Sequence, residues 1–237
     1  MTGDPGAVYG DVGFTLTLVR RQLAALFDLD EARDAGPLAA AVEEAAGRAL
    51  ACYAHLGNKY YSGADGARLY PFHGGKYCIF LYFLSRALHA LGPEQRSLAD
   101  RVYCLNRTLH GVDFYYEVEL PDVFMVDHPL GSVLGRAAYS DFLSVAQNCT
   151  VGNNNGVYPR LGRDVSLMAG AGVLGDCTVG DHVVVAADAF VIDTDIPPFS
   201  VVFGASPRLT VQTRPAEFFR ERFARRFRTS DAHGIEW

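Results

Sequence analysis

Few side chains in the second half of this chain could carry acid–base chemistry. Between residues 111 and 209 the histidines are His128 and His182. A neutral imidazole accepts a proton near pH 7, and a carboxylate on its second nitrogen fixes the tautomer and stabilises the imidazolium. Asp113 precedes His128 by fifteen residues. The alternative is that His128, which precedes Pro129, is a turn residue without a catalytic role.

Metal and thiol chemistry are disfavoured by the same region. A catalytic zinc site of the carbonic anhydrase type needs three histidine ligands, and two histidines cannot supply them. The chain has five cysteines, all single and without a CxxC pair, which favours free thiols in a reducing compartment. Cys149 and Cys177 fall on a ladder of small residues. We therefore expect them in the core and not as nucleophiles.

Composition excludes several classes of protein. A net charge of −6 does not favour nucleic acid or an anionic membrane as partner. The most apolar segment, residues 77–91, is too short to span a bilayer and contains Arg86 and His89. The N-terminus lacks a basic stretch followed by an apolar run, so no signal peptide is predicted. These features predict a soluble cytoplasmic protein.

Helical patterns fill the first 110 residues. Apolar spacing predicts a helix over residues 14–29, and a segment rich in Ala, Glu and Leu predicts another over 38–56, with Pro37 in its first turn. Two more are predicted over 77–91 and 93–109, separated by Gly92 and Pro93. The loop of residues 57–75 is rich in Gly and Tyr. Two interpretations of its polar side chains remain open: they form part of an acceptor pocket, or they only pack the loop onto the β-helix. The side chains are Tyr60, Tyr61, Tyr70, His73 and Lys76.

A period of six begins near Gly111. Large apolar residues recur every six positions and form the main ladder. The spacing is broken once, by four extra residues near 157–160. A second ladder of small or apolar residues lies four positions after members of the first. The main ladder is Val133, Tyr139, Val145, Val151, Leu161, Leu167, Val173, Val179, Val185 and Val191. The second ladder is Ala137, Leu143, Cys149, Val165, Ala171, Cys177, Val183 and Ala189.

This period predicts a parallel β-helix. Three six-residue repeats close one triangular coil, the aliphatic residue of each repeat points inward, and the four extra residues leave as a loop. A β-sandwich is the alternative. The predicted fold class is α+β: a helical domain over residues 1–110, a left-handed parallel β-helix over 111–209 and a C-terminal basic helix and tail over 210–237. The four phenylalanines of that helix are expected to pack on the protein; the alternative places one of its arginines near a bound phosphate.

Four segments resemble the serine acetyltransferase branch of the hexapeptide-repeat acyltransferases. LNRTLHGVDFYY (105–116) resembles the entry into the β-helix, and VDHPLGSVLG (126–135) resembles Leu-Asp-His-Ala-Thr-Gly-x-Val-x-Gly. QNCTVG (147–152) is similar to Gln-x-Val-Thr-Leu-Gly, and the end of the repeat (167–209) has the family's Pro-Pro turn and its close. The resemblance implies acetyl transfer from acetyl-CoA as co-substrate, without a metal.

The resemblance also assigns roles. It implies that His128 is the general base, that Asp113 supports it and that Asp127 helps to hold the acceptor. It implies a homotrimer, or a dimer of trimers, in which the triangular β-helix of each subunit forms a prism. The acyl-CoA groove would lie between neighbouring prisms. The cofactor-binding positions would be Gly152, Ala169, Ala187 and Arg208.

One loop departs from the family pattern. The family carries Arg-His-Pro where this chain has Val157, Tyr158 and Pro159, and Arg160 two residues later is the candidate substitute. Tyr158 and Arg160 are therefore the predicted acceptor-binding residues of the loop. The acceptor is expected to be serine, a related amino acid or a sugar. A β-helix scaffold without catalysis is the alternative of another class.

Overall fold

The helical part comes first in the computed structural model, which describes residues 10–61 and 67–229. Helix α1 spans Val12–Leu26, α2 Glu31–Ala54, α3 Gly74–Ala90 and α4 Arg96–His110, with a short 3-10 turn at Pro93–Gln95. Helix α3 is buried along almost its whole length between α2 and α4. This confirms the prediction of a buried helix for the most apolar segment. No helix of the described residues is long and apolar enough to cross a membrane.

The start of α2 corrects the sequence analysis. The helix begins seven residues before the predicted start, and Pro37 lies in its interior instead of its first turn. The Asp30 side chain caps the helix by accepting hydrogen bonds from the backbone N–H groups of Ala32 and Arg33. Because this cap fixes the start, Pro37 costs the helix one hydrogen bond near its N-terminus and does not end it.

The β-helix has three faces, and neighbouring strands of the coils within each face are parallel. Face 1 contains β1 (Phe124–Val126), β4 (Leu143–Val145), β7 (Ser166–Leu167), β10 (Val183–Val185) and β12 (Ser200–Ala205). Face 2 contains β2 (Val133–Leu134), β5 (Thr150–Gly152), β8 (Gly172–Leu174) and β11 (Phe190–Ile192). Face 3 contains β3 (Ala138–Tyr139), β6 (Arg160–Leu161) and β9 (Thr178–Val179). A last strand, β13 (Arg208–Thr213), returns antiparallel to β12. This architecture confirms the predicted α+β fold class.

The interior ladder follows the predicted period except at its first member. From Val145 onward the predicted residues are buried and pair coil by coil. Val133, however, is 40% exposed, and the buried Leu134 pairs with Val151. The prediction of an inward Val133 was therefore wrong. The first coil does not keep the spacing of six, so counting backwards along the repeat selects the neighbour of the interior residue.

The predicted four-residue insertion is confirmed. Strand β5 pairs with β8, and β3 with β6, at a separation of 22 positions in each case (Thr150 with Gly172, Ala138 with Arg160), whereas β6 and β9 pair at 18. The extra residues lie between β5 and β6. There Asn154 and Val157 bond to each other across a tight turn at 3.0 Å in both directions.

The C-terminal helix covers face 1. Helix α5 spans Ala216–Ala224, and Phe219 and Phe223 on one of its sides are buried. Phe219 packs on Val184 and Val201, outward residues of face 1, and Phe223 packs edge-on against Phe142. The prediction is confirmed for Phe219, Phe223 and Phe227, which are buried, and is wrong for Phe218, which is 36% exposed. Face 1 is consequently closed to other partners by the chain's own helix.

Candidate functional site

The corner that carries His128 is wider than the corners stacked above it. Each coil turns from face 1 to face 2 at one edge of the prism, here called edge A. In the later coils the interior residues that flank this turn are six positions apart, as in Val145 to Val151. In the first coil they are Val126 and Leu134, eight positions apart. Two additional residues therefore push this corner, residues 127–133, outward; it is called the wide corner below.

His128 projects from the wide corner into solvent. Its backbone adopts a left-handed conformation (φ 51°), and its side chain is 79% exposed. Its Nε2 lies 3.7 Å from an Asp127 carboxylate oxygen. The imidazole is therefore open to a substrate from outside the prism.

Asp113 lies directly beneath the wide corner. Its N–H donates to the Ser132 carbonyl at 2.9 Å, and its carbonyl accepts from Leu134 N–H at 3.1 Å. Asp113 is thus the strand neighbour of the wide corner, one layer away. Its carboxylate accepts a hydrogen bond from the Tyr103 hydroxyl at 2.6 Å. Burial and that carboxylate raise the pKa of Tyr103 above its ordinary value.

His128 and Asp113, the predicted base and its supporting carboxylate, lie in neighbouring layers but are not hydrogen-bonded to each other. No hydrogen bond joins His128 and Asp113 in the part of the chain that the structure describes, and Asp113 is instead engaged with Tyr103. The pair therefore remains a prediction. Sequence reasoning missed Tyr103; its signal was a tyrosine ten positions before Asp113 on the adjoining helix α4, which only the fold connects to the site.

Edge A connects the wide corner with three of the predicted cofactor residues. Asn148 N–H donates to the Leu130 carbonyl at 2.8 Å, and two coils higher Asp188 N–H donates to the Ala169 carbonyl at 2.9 Å. Ala169 and Ala187 stand on this edge. Since adjacent coils are about 4.8 Å apart, roughly 14 Å separates the wide corner from the coil of Ala187. Ala169 and Ala187 carry only a methyl side chain, so they cover little of the backbone beside them.

Arg208 and Gly152 lie at opposite sides of face 2. Arg208 starts β13 and pairs with Ala205, which in turn pairs with Phe190, the residue at which β11 leaves edge A. Gly152 ends β5 on the far side of the face, next to Leu174. The structure therefore groups Arg208 with Ala169 and Ala187, and it separates Gly152 from them within one chain.

The predicted acceptor residues do not converge on one spot in a single chain. Asp127 is part of the wide corner. Tyr158 and Arg160 belong to the four-residue loop and to face 3, where Arg160 pairs with Ala138 and Thr178. The Arg160 side chain forms no hydrogen bond or ion pair with any described residue. Roles for Tyr158 and Arg160 in acceptor binding remain predictions.

The Tyr-rich loop contacts the strand that leads into the wide corner. The buried Tyr61 hydroxyl donates to the Val126 carbonyl, and its ring lies 4.7 Å from the ring of His73. Lys76 is buried, its Nζ donates to the Arg68 carbonyl at 3.3 Å, and burial lowers its pKa to about 8. Tyr61 and Lys76 are thus committed to backbone carbonyls. These contacts favour the packing interpretation of the loop.

The two thiols of the second ladder are not in position for covalent chemistry. Cys149 and Cys177 are buried in the prism, as expected for the second ladder, and burial raises the pKa of both thiols. All five cysteines are free. Among residues 10–61 and 67–229, no group of three His, Cys, Asp or Glu side chains is arranged to hold a metal ion.

Comparison with known proteins adds to this geometry. The family described as "Bacterial transferase hexapeptide (six repeats)" matches residues 158–193. The serine acetyltransferase of Helicobacter pylori J99 is 29% identical over 62% of this chain and 85% of its own length. That of Mycobacterium tuberculosis is 30% identical over 51% of this chain and 55% of its own length. A further relative, from Schizosaccharomyces pombe, is 32% identical, and the match covers 48% of its length.

Solved structures share the fold. A serine acetyltransferase in complex with CoA superposes with a TM-score of 0.62 at 21% identity, covering 85% of each chain. The Neisseria gonorrhoeae serine acetyltransferase superposes with a TM-score of 0.63 at 17% identity, covering 90% of this chain and 95% of its own. At these identities the likeness is one of fold. It extends over the helical part as well as the prism.

Residues 158–193 thus match the hexapeptide repeat of bacterial transferases. In sequence the chain is similar to serine acetyltransferases, and the likeness in fold extends to the helical part.

Proposed function

We propose that this chain transfers an acetyl group from acetyl-CoA to a small hydroxyl or amine acceptor, with serine as the first candidate. The carrying observation is the wide corner, which presents an exposed His128 at the foot of edge A in a serine acetyltransferase-like fold. The two bacterial relatives named above are serine acetyltransferases, and one solved neighbour is a serine acetyltransferase in complex with CoA. The proposed compartment is the cytoplasm, which suits five free thiols.

His128 would act as general base in a direct transfer. The imidazole takes the proton of the acceptor hydroxyl as the oxygen attacks the thioester carbonyl, the carbon–sulfur bond breaks, and the thiolate of CoA takes up the proton. Asp113 lies one layer below the corner, where it can orient the imidazole once the corner closes on substrate. Catalytic hydrogen bonds are often long or absent before substrate binds, so the open pair is compatible with this role.

Acetyl-CoA would lie along edge A. Its thioester would reach the wide corner, its pantetheine arm would follow Ala169 and Ala187, and its phosphates would be near Arg208. Apolar side chains remain exposed beside this path: Leu130 (61%), Val133 (40%) and Met168 (38%). Water-exposed apolar groups along a groove favour cover by a second surface. We propose that a neighbouring prism of a homotrimer supplies it, because α5 already closes face 1.

Release of free CoA thiol from acetyl-CoA tests the proposal directly. The purified chain is assayed with serine, homoserine, amino sugars and hydroxyl sugars, and the acetylated product is identified by mass spectrometry. Thiol release with one acceptor establishes the transferase and names its substrate class. A sugar product would replace serine as the acceptor. Absence of both thiol release and acetyl-CoA binding would favour a non-catalytic scaffold. Light scattering of the same preparation gives the oligomeric state.

A further inference from the structure

A cleft of about 570 Å³ opens between the helical part and the wide corner. One wall comes from the last turns of α4, through Cys104, Arg107 and Thr108, and the opposite wall comes from Gly131, Ser132 and Val133. Asp113 also lines the cleft. The cleft therefore begins three residues from His128 in the chain and contains the carboxylate predicted to support it.

Arg107 is the cation of this cleft among its described lining residues. It lies one helical turn after Tyr103 on α4, and its guanidinium carbon is 5.5 Å from the centre of the Tyr103 ring. The side chain is exposed and has no ion pair within residues 10–61 and 67–229. Stacking on the ring orients a planar guanidinium while leaving its N–H groups open.

The charges in the cleft are arranged for a zwitterion. Arg107 and Asp113 line the cleft and contribute one positive and one negative charge, and Asp127 adds a second negative charge on the wide corner, outside the lining of the cleft. The other candidate cation, Arg160, is on face 3, away from this cleft. A carboxylate matches the two parallel N–H groups of a guanidinium, and a lysine does not reproduce that geometry.

We infer that Arg107 binds the carboxylate of the acceptor, and that the acceptor is therefore an α-amino acid with a free carboxyl group. The inference rests on the proposed function and assigns a specificity-determining residue to it. It also gives a reason why the loop of residues 153–160 needs no arginine at position 157: the helical part provides the cation instead. A competing role is purely structural, because a cation in the last turn of α4 also stabilises the helix carbonyls.

Kinetics with matched acceptors distinguish the two roles. Arg107→Ala is compared with wild type on L-serine and on L-serinamide, which lacks the carboxylate. We expect the KM for L-serine to rise at least tenfold, with kcat, the KM for acetyl-CoA and the KM for L-serinamide changed less than twofold. Arg107→Lys should recover part of the L-serine affinity. Arg21→Ala, an exposed arginine on α1, is the control and should match wild type.

Three results would overturn the inference. One is an L-serine KM within twofold of wild type in Arg107→Ala, and another is an equal loss on L-serine and L-serinamide, which indicates a structural role. The third comes from calorimetric titration of L-serine, which does not depend on turnover: no binding to wild type, or equal binding to Arg107→Ala. If L-serine binds through Arg107 but no acetyl group is transferred, the proposed function fails while the binding site stands.

Discussion

The wide corner and the three corners above it are built from the same repeat but differ in regularity. The upper corners keep six positions between interior residues, and their backbones hydrogen-bond in a continuous ladder. The wide corner has eight positions, an exposed histidine and a cleft beside it. A regular edge suits a long ligand that is held by repeated backbone contacts. Proton transfer needs a side chain at one specific place, and in the proposed function the two extra residues of the wide corner provide that place.

The largest expected effect follows removal of the imidazole. His128→Ala should lower kcat by about 10²–10⁴-fold, the usual contribution of a positioned general base. Acetyl-CoA binding, measured by calorimetry, should stay within twofold because the upper corners of edge A are untouched. His89→Ala removes an exposed histidine on α3 and serves as the control. Turnover near the wild-type level in His128→Ala would leave the wide corner without its proposed role.

The register of the first coil is tested by two neighbouring substitutions. Leu134→Ala should lower the free energy of unfolding by about 2–5 kcal/mol, because it opens a cavity in the prism. Val133→Ala should change it by less than about 0.5 kcal/mol, because that side chain is 40% exposed. Urea denaturation measures both. The reverse order would restore the strict period of six and remove the wide corner.

The support beneath the wide corner should depend on pH. His110 ends α4, its Nδ1 lies 2.7 Å from the Asn106 side-chain oxygen, and burial lowers its pKa to about 4. An unfolded histidine has a pKa near 6.5, so between these values the unfolded chain binds a proton that the folded chain does not. Stability is therefore present above pH 6.5 and falls as the pH drops towards 4.

Urea denaturation at pH 7 and pH 4.5 measures this effect. Wild type should lose about 2–3 kcal/mol more than His110→Gln over that interval. His89→Gln, on the exposed side of α3, should behave as wild type. An identical pH slope in His110→Gln would show that the acid sensitivity comes from other groups.

The smallest effects come from one glycine in each kind of corner. Gly131 in the wide corner and Gly170 in a regular corner both have φ of 73°, and an added Cβ would meet the Asn148 or Asp188 side-chain oxygen at 2.2 or 2.3 Å. Each Gly→Ala change should cost about 1–2 kcal/mol in thermal unfolding experiments. Only Gly131→Ala should also lower kcat, and only Gly170→Ala should raise the KM for acetyl-CoA. Equal kinetic effects would erase the distinction between the corners.

The repeat made most of the fold predictable. Period six, the phase shift near residue 157 and the burial of Cys149 and Cys177 follow from one geometric rule, which each coil obeys independently. Val133 and Pro37 were misplaced because the rule is local. A two-residue bulge at one corner, or an Asp30 cap seven residues before a proline, changes register without changing composition.

The candidate site was less predictable than the fold. His128 and Asp113 could be selected by residue type and by resemblance, but the hydrogen bond from Tyr103 to the Asp113 carboxylate could not, because Tyr103 belongs to another element. Arg107 carries no sequence signal of its own, since a basic residue in the last turn of a helix is ordinary. The bounds of the three predicted parts and the site roles remain predictions.

The packing of the tail has a consequence for how the chain folds during synthesis. Each coil contacts only its neighbours, so the prism can grow as the chain emerges from the ribosome. The tail behaves differently: the Arg228 carbonyl bonds to the His55 ring across 173 positions, and Leu56 pairs with Phe227. Contacts of such long range form late. The segment that follows α2 therefore stays without its partner strand until residues 227 and 228 have been synthesised, and only then does Leu56 reach its final, fully buried position.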